Sequence, residues 1–309
     1  MKKKKSNKWL RYSWNDRLFL VFIHVFVLLV AFICLYPMYF TVIASFSDSS
    51  AVYAGKTNLW VKGFNLDAYR YVLMEKSIWT GYRNTIFYTF FGTCFNLFLT
   101  IPSAYALSKR NMYGRGLLTF IFLFTMYFGG GMIPTYLLFK DMHMLNTPWI
   151  MIISGGISVY NVIVTRTYFQ NNIPETMYEA ARIDGANELY IFYRIALPLS
   201  KAIIAVMALY YAVGHWGSYF GALLYVRNED LYPLQLVLRK ILILNTGIQA
   251  GFAEFASSPE AIEAAMKKAE MANAMKYSLV FIASLPMLIL YPFIQKHFVK
   301  GIMIGSLKG

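Results

Sequence analysis

Six stretches of this chain run for nineteen residues or more without an Asp, Glu, Lys or Arg: residues 18–47, 84–108, 116–139, 142–165, 202–226 and 277–295. A helix rises about 1.5 Å per residue, so about twenty residues cross the ~30 Å hydrocarbon layer of a bilayer, and each stretch is close to or above that length. Inside lipid every backbone N–H and C=O must find a partner within the protein, which leaves helices as the form such segments take. The expected fold class is therefore all-α, an integral membrane protein with six transmembrane helices. Hydrophobic residues at 58%, charged residues at 14% and a mean hydropathy of +0.47 agree with that class and exclude an ordinary soluble domain. A further uncharged run, 241–253, is too short to cross; with Asn245, Thr246, Gly247 and Gln249 it reads as buried or re-entrant structure.

Basic residues orient the bundle. Residues 1–17 hold seven of them, Lys109, Arg110 and Arg115 follow the second stretch, and Lys296, Lys300 and Lys308 follow the sixth. Cytoplasmic connections carry this excess, so both termini are expected in the cytoplasm, as is the connection between the fourth and fifth stretches. The organisation expected is a basic cytoplasmic segment 1–17, a membrane domain 18–295 with an inner loop at about 170–198 and an outer loop at about 227–276, and a cytoplasmic tail 296–309. The first stretch is too long for a cleaved signal peptide and reads as a retained helix. The net charge of +14 sits largely at the ends of apolar stretches, so lipid headgroups are the expected anionic partner and nucleic acid is not. Cys34 and Cys94 fall inside apolar stretches without metal or redox spacing and read as packing residues.

The inner loop carries the most specific pattern. Pro174 suits the start of a helix, Glu175 and Glu179 favour the positive end of its dipole, and Asp184-Gly185 is a turn pair. A helix over residues 175–183, a turn and a second helix over 186–195 are expected before Leu197-Pro198 leads into the fifth stretch. Ala180 and Ala181 are small enough for a partner surface to approach closely, and Glu179 offers it a carboxylate. Tyr178-Glu179-Ala180-Ala181, then Asp184-Gly185, then Ile195, Leu197 and Pro198 resemble the EAA loop of binding-protein-dependent ABC importers. Asn146-Thr147-Pro148, Trp216 with Tyr219-Phe220, and the tail ending Gly305-Ser306-Leu307-Lys308-Gly309 extend the resemblance over nearly the whole chain, to carbohydrate permeases of the type I, maltose-transporter-like group found in Gram-positive bacteria.

That resemblance implies a permease subunit of an ATP-driven importer in the bacterial cell membrane, moving a carbohydrate, in particular an oligosaccharide, into the cytoplasm. Its implied partners are a cytoplasmic ATPase dimer gripping the loop residues named above, a second related permease, and an extracellular lipid-anchored sugar-binding protein. No Gly-x-x-x-x-Gly-Lys-Ser/Thr loop occurs, so the chain itself is expected to bind no cofactor and to be no enzyme, with ATP and Mg held by the partner ATPase. An importer permease for an amino acid, a peptide or another non-sugar solute is the alternative. Many sugar permeases place Asn directly after the fifth-stretch tryptophan; here Gly217 stands there, with His215 on the tryptophan's other side, so sugar contacts do not transfer from relatives.

Tyr210, Tyr211, His215, Trp216 and Tyr219, with Asn161, are the expected lining of a path through the bundle: rings stack on sugars and polar groups bond their hydroxyls. Interface-belt or helix-packing roles suit the same aromatics. His24 and His215 read as neutral imidazoles bonded to neighbouring helices. Gly129-Gly130-Gly131 lets helices approach or lets the third stretch unwind. None of the six stretches holds Asp or Glu, against a proton- or sodium-coupled carrier, and the four histidines are scattered, against a metalloenzyme.

Overall fold

A computed structural model describes residues 13–243 and 275–289. The N-terminal lysine run, nearly all of the short polar run at 241–253, the helix-start signal at Ser257-Ser258-Pro259-Glu260 and the tail lie outside them. The chain divides into two compact units, Met1–Val72 with Asn245–Phe281, and Leu73–Leu244 with Ile282–Gly309.

The first unit is built on α1 (Trp14–Phe46), opened by a capping box in which Ser13 and Asp16 satisfy each other's ends. The most apolar part of α1 is unburied within the chain, which suits a helix whose solvent is lipid. His24 bonds the carbonyl of Leu20, one turn back on its own helix, and not a neighbouring helix as expected. At its far end α1 is packed: Phe46 meets the rings of Phe64, Tyr69 and Phe281, and Tyr69 donates to Ser45 Oγ. Helix α2 (Ser49–Tyr53), capped by Asp48, and most of α3 (Asp67–Met74) belong to the connection that follows.

The second unit is organised round α4 (Lys76–Ser108), which packs against α7 (Pro148–Ile153), α8 (Val159–Asn172) and α12 (Lys201–Trp216). Helix α4 begins eight residues before its uncharged stretch because Lys76 and Arg83 lie in its first turns, outside the apolar part. Its N-terminal half pins the loop that follows Val226: Asn84 donates to the carbonyls of Asp230 and Tyr232, Tyr88 to that of Leu231, and Thr85 Oγ1 accepts from Leu234 N–H. Asn146, at φ 60°, accepts from the N–H groups of Arg227 and Asn228, so the Asn-Thr-Pro triplet ties a loop besides starting a helix.

Not every apolar stretch forms one continuous helix. Among the described residues, two helices (α1 and α4) are long and apolar enough to cross a membrane, or up to four if each bent pair is one span. The third stretch is α5 (Arg115–Tyr127) and α6 (Met132–Asp141), bent by 112° where the three glycines fall, so of the two roles foreseen for them they unwind the chain. The fourth comprises α7 and α8 with Ser154-Gly155-Gly156 between them, and the fifth ends at Gly217 before a short α13 (Phe220–Tyr225). Hydropathy counts apolar residues; it does not register that glycine removes the local preference for staying helical. Met275–Ile289 is helical, from the sixth.

Candidate functional site

Two features of the second unit stand out, a polar hairpin and a cavity beside α12.

The hairpin starts with α9 (Glu175–Ile183), as the sequence indicated, and ends in a Schellman turn: Ala186 N–H bonds Ala181 C=O and Gly185 N–H bonds Arg182 C=O, with Gly185 at φ +83°. Asn187 then caps α10 (Glu188–Ile191) by accepting from Tyr190 N–H. The second helix is shorter than expected, because Phe192–Ala196 widens into a π turn before α11 (Leu197–Leu199). Glu188–Leu199 meets Lys201–Trp216 at 79°, with Ser200 at the corner.

Helical periodicity sorts the residues of α9. Tyr178, 3% exposed, and Ala181, 9% exposed, lie one turn apart and enter a core made by Ile101, Ala104, Val162, Phe169, Ile191 and Phe192. Glu179, Ala180, Asp184 and Gly185 lie on the outer side. Ala181 therefore faces the core and not an outside surface, and of the alanine pair Ala180 alone is presented outward. Ile195 and Leu197 are half-buried against the same core, and Pro198 is exposed. On the same hairpin as Glu179 stand apolar side chains that find no cover among the described residues: Ile183 is 87% and Leu189 70% exposed, with Met177, Tyr190 and Tyr193 also open. Exposed apolar groups gathered on a hairpin outside the apolar stretches have the composition of a contact surface.

The hairpin also carries a charged cluster, tied to α4 through Tyr105, that the sequence did not reveal. Arg182 bonds Glu188 Oε1 through Nε at 3.0 Å and Nη2 at 2.9 Å, its Nη1 is 3.7 Å from Glu175, and Tyr105 donates to Glu188 Oε2 at 3.1 Å. Burial raises the Glu188 carboxyl, but Arg182 and Tyr105 together hold it below the usual range. Burial pushes the Tyr178 phenol up to about 12, with Glu175 and Glu188 adding to the rise.

The cavity, 210 Å³, is lined by Asn96, Met151, Tyr210, Tyr211, Gly214 and His215, among others. Asn96 Nδ2 donates to the carbonyls of Gly155 and Gly156, at 3.1 and 2.8 Å, and so satisfies the backbone freed where α7 and α8 part. Only the NH2 end of the amide can serve two carbonyls. Its Oδ1 is thereby turned to His215 Nε2 at 2.7 Å, which assigns a proton to Nε2; in a neutral ring that leaves Nδ1 as an acceptor. Tyr211 OH pairs with Thr100 Oγ1 at 2.6 Å and accepts from Ser158 N–H at 3.3 Å. The His215 ring lies on Gly92, where a Cβ would come within 2.4 Å of it. Of the residues expected to line a path, Tyr210, Tyr211 and His215 do line this cavity. Trp216 is buried, donating to Ala283 C=O; Tyr219 is exposed beneath Arg239; Asn161 is buried on α8.

Residues 77–304 match the model of the binding-protein-dependent transport system inner membrane component. The chain belongs to this family. The permease is 40% identical over 295 residues to the polygalacturonan/rhamnogalacturonan transport system permease protein YtcP of Bacillus subtilis (strain 168), covering 96% of this chain and 100% of that one. It is also 40% identical over 282 residues to Protein LplC of the same strain, covering 91% of each. Among solved structures it superposes on a chain of a bacterial ABC transporter involved in the import of the acidic polysaccharide alginate, with TM-score 0.81, 34% identity, and coverage of 93% of this chain and 99% of that one. The type I ABC permease fold expected from the sequence is thus the fold of this chain. As the membrane component of such a system the permease is not the enzyme, and ATP hydrolysis belongs to a separate subunit.

Proposed function

We propose that this permease carries a carbohydrate, an oligosaccharide released by an extracellular lipid-anchored binding protein, through the bacterial plasma membrane into the cytoplasm, as half of a heterodimer with a second permease. The hairpin built on α9, with Glu179, Ala180, Asp184, Gly185 and Pro198 outward and Tyr178, Ala181, Ile195 and Leu197 seating it, is the face gripped by a cytoplasmic ATPase dimer that binds the ATP and Mg. Both termini are then cytoplasmic. The observation that carries this reading is the pairing of a rigid seat with an unshared surface: Tyr178 and Ala181 fix the hairpin to the core of α4 and α8, while Ile183 and Leu189 are left bare beside Glu179.

Carbohydrate as cargo is supported by the sugar systems named for the relatives and by the cavity, where the His215 Nδ1 lone pair suits a sugar hydroxyl and Tyr210 offers a ring to stack on. An unprotonated ring nitrogen does not attract a carboxylate, so a sugar is read there through its hydroxyls even when the oligosaccharide is acidic.

The test is reconstitution of the permease with its genomic neighbours in proteoliposomes. Binding-protein-dependent ATP hydrolysis stimulated by galacturonate or neutral oligosaccharides, and disulfide trapping of Glu179→Cys to an ATPase cysteine, are the expected results. Stimulation by amino acids or peptides alone would overturn the substrate class. Trapping that fails at Glu179 but succeeds at an outer-loop position such as Lys56→Cys would overturn the assignment of the hairpin.

A further inference from the structure

Lys109 is the first residue after α4, and its surroundings are unusual for a lysine. Its Nζ is buried without a hydrogen-bond partner among the described residues. It lies 3.1 Å from the centroid of the Tyr178 ring and 4.4 Å from that of Tyr105, two rings at 80° to each other. Tyr105 belongs to α4 and Tyr178 to α9, so one ammonium group is held between the face of a long apolar helix and the face of the hairpin. The charge is desolvated, where attraction to ring faces is strongest. An exposed partner such as Arg182–Glu188 contributes little by comparison.

We propose that Lys109 is a positioning residue for energy coupling: its ammonium group joins α4 to the hairpin, so that a displacement imposed on α9 is carried into α4. The proposal rests on the reading of the hairpin as the ATPase-gripped face and adds to it the joint through which movement reaches the bundle. The cation meets both rings at once, which a neutral side chain in its place would not do. Burial pushes the Lys109 ammonium down to about 8, opposed by the carboxylates of Glu188 and Glu175 and reinforced by Arg182. These, with the two phenols, are the charged and titratable groups around it on α4, α9 and α10; Arg110 and, from α5, Arg115 share the wall of a cavity that Lys109 lines. The sign follows directly. Because the folded state lowers this pKa, the charged form costs stability at neutral pH, and that cost fades as pH rises from about 8 towards 10.5. A neutral replacement is therefore expected to leave stability unharmed while removing the joint.

The experiment uses the whole transporter in proteoliposomes with Lys109→Met, Lys109→Arg and, as a neighbouring-charge control, Arg110→Gln. Substrate moved per ATP hydrolysed is measured together with the melting midpoint of the complex. Lys109→Met is expected to assemble with an undiminished midpoint but to lose about tenfold in substrate per ATP, the scale by which side chains on a coupling route alter it. Lys109→Arg, which still presents a cation to both rings, is expected to retain coupling, as is Arg110→Gln. In the wild type the ratio should fall as pH rises through about 8, where Lys109 loses its proton, and Lys109→Arg should abolish that fall. Full coupling in Lys109→Met, or parallel pH profiles for wild type and Lys109→Arg, would overturn the proposal. So would a lowered midpoint in Lys109→Met with unchanged substrate per ATP, which marks a purely structural lysine. Should Lys109→Met fail to assemble, the pH comparison still decides. Disulfide trapping of Glu179→Cys, run in parallel, separates the two claims: if it succeeds while the Lys109 variants stay coupled, only the joint is wrong.

Discussion

Asn96→Leu removes an amide of nearly the same size and isolates one effect. The side chain makes three hydrogen bonds, to Gly155 C=O, Gly156 C=O and His215 Nε2, and is fully buried. Leucine fills the space and satisfies none of them. Interhelical hydrogen bonds in membrane proteins average about 0.6 kcal/mol, whereas a buried polar group left alone costs about 1–3 kcal/mol. Three bonds at the lower figure give ~2 kcal/mol, and orphaning even one of the three groups adds at least ~1, so the expected loss is about 3 kcal/mol. At about 2 °C per kcal/mol for a chain of this size, the melting midpoint of the purified transporter should fall by about 6 °C. Size-exclusion fluorescence after graded heating reads this, with the exposed Asn171→Leu as the reference. A shift below about 1 °C would mean that the break between α7 and α8 does not depend on Asn96, and the reasoning that ties the cavity wall together would be wrong.

Gly185→Val should be strained by about 1–2 kcal/mol at φ +83° and reduce substrate-stimulated ATP hydrolysis, while Gly185→Asn, which tolerates that region, should keep most of it. Gly92→Ala drives a methyl into the His215 ring and should cost about 1–3 kcal/mol by thermal unfolding; adding His215→Ala should recover part of the loss, a less-than-additive pair. Ile183→Asp with Leu189→Asp should abolish co-purification of the ATPase yet change the stability of the isolated permease by no more than about 0.5 kcal/mol per substitution, read by thermal unfolding, because both side chains are already exposed.

Local chemistry was legible in the sequence. Pro174, two glutamates and Asp184-Gly185 define α9 within its own residues, and the structure returns the bounds 175–183. Apolar runs located the helical segments but not their interruptions. The break at Gly155-Gly156 is tolerated because Asn96, some sixty residues earlier, turns its amide to it, and no local window contains that pairing. Ala181 illustrates a different limit: a small residue next to Glu179 suggests close approach by a partner, yet one step round the helix turns it into the core. Lys109 registered as one positive charge among several orienting the bundle, and only the folded chain brings Tyr178 over it.

Ser200 stands at the 79° corner between Glu188–Leu199 and Lys201–Trp216, fully buried, with a hydroxyl that has no partner among the described residues. Backbone bonds from Ser200 N–H to Leu197 C=O and from Ile204 N–H to Ser200 C=O run through this elbow, but among the described residues no side-chain polar contact from Ser200 fastens it, so neighbouring side chains fill the space around a very small one. A corner residue held by shape alone lets the angle change without first breaking a side-chain bond of its own. On the proposed reading of the hairpin, motion along one arm would become a sweep of the other, whose far end holds Tyr210, Tyr211 and His215 in the wall of the cavity.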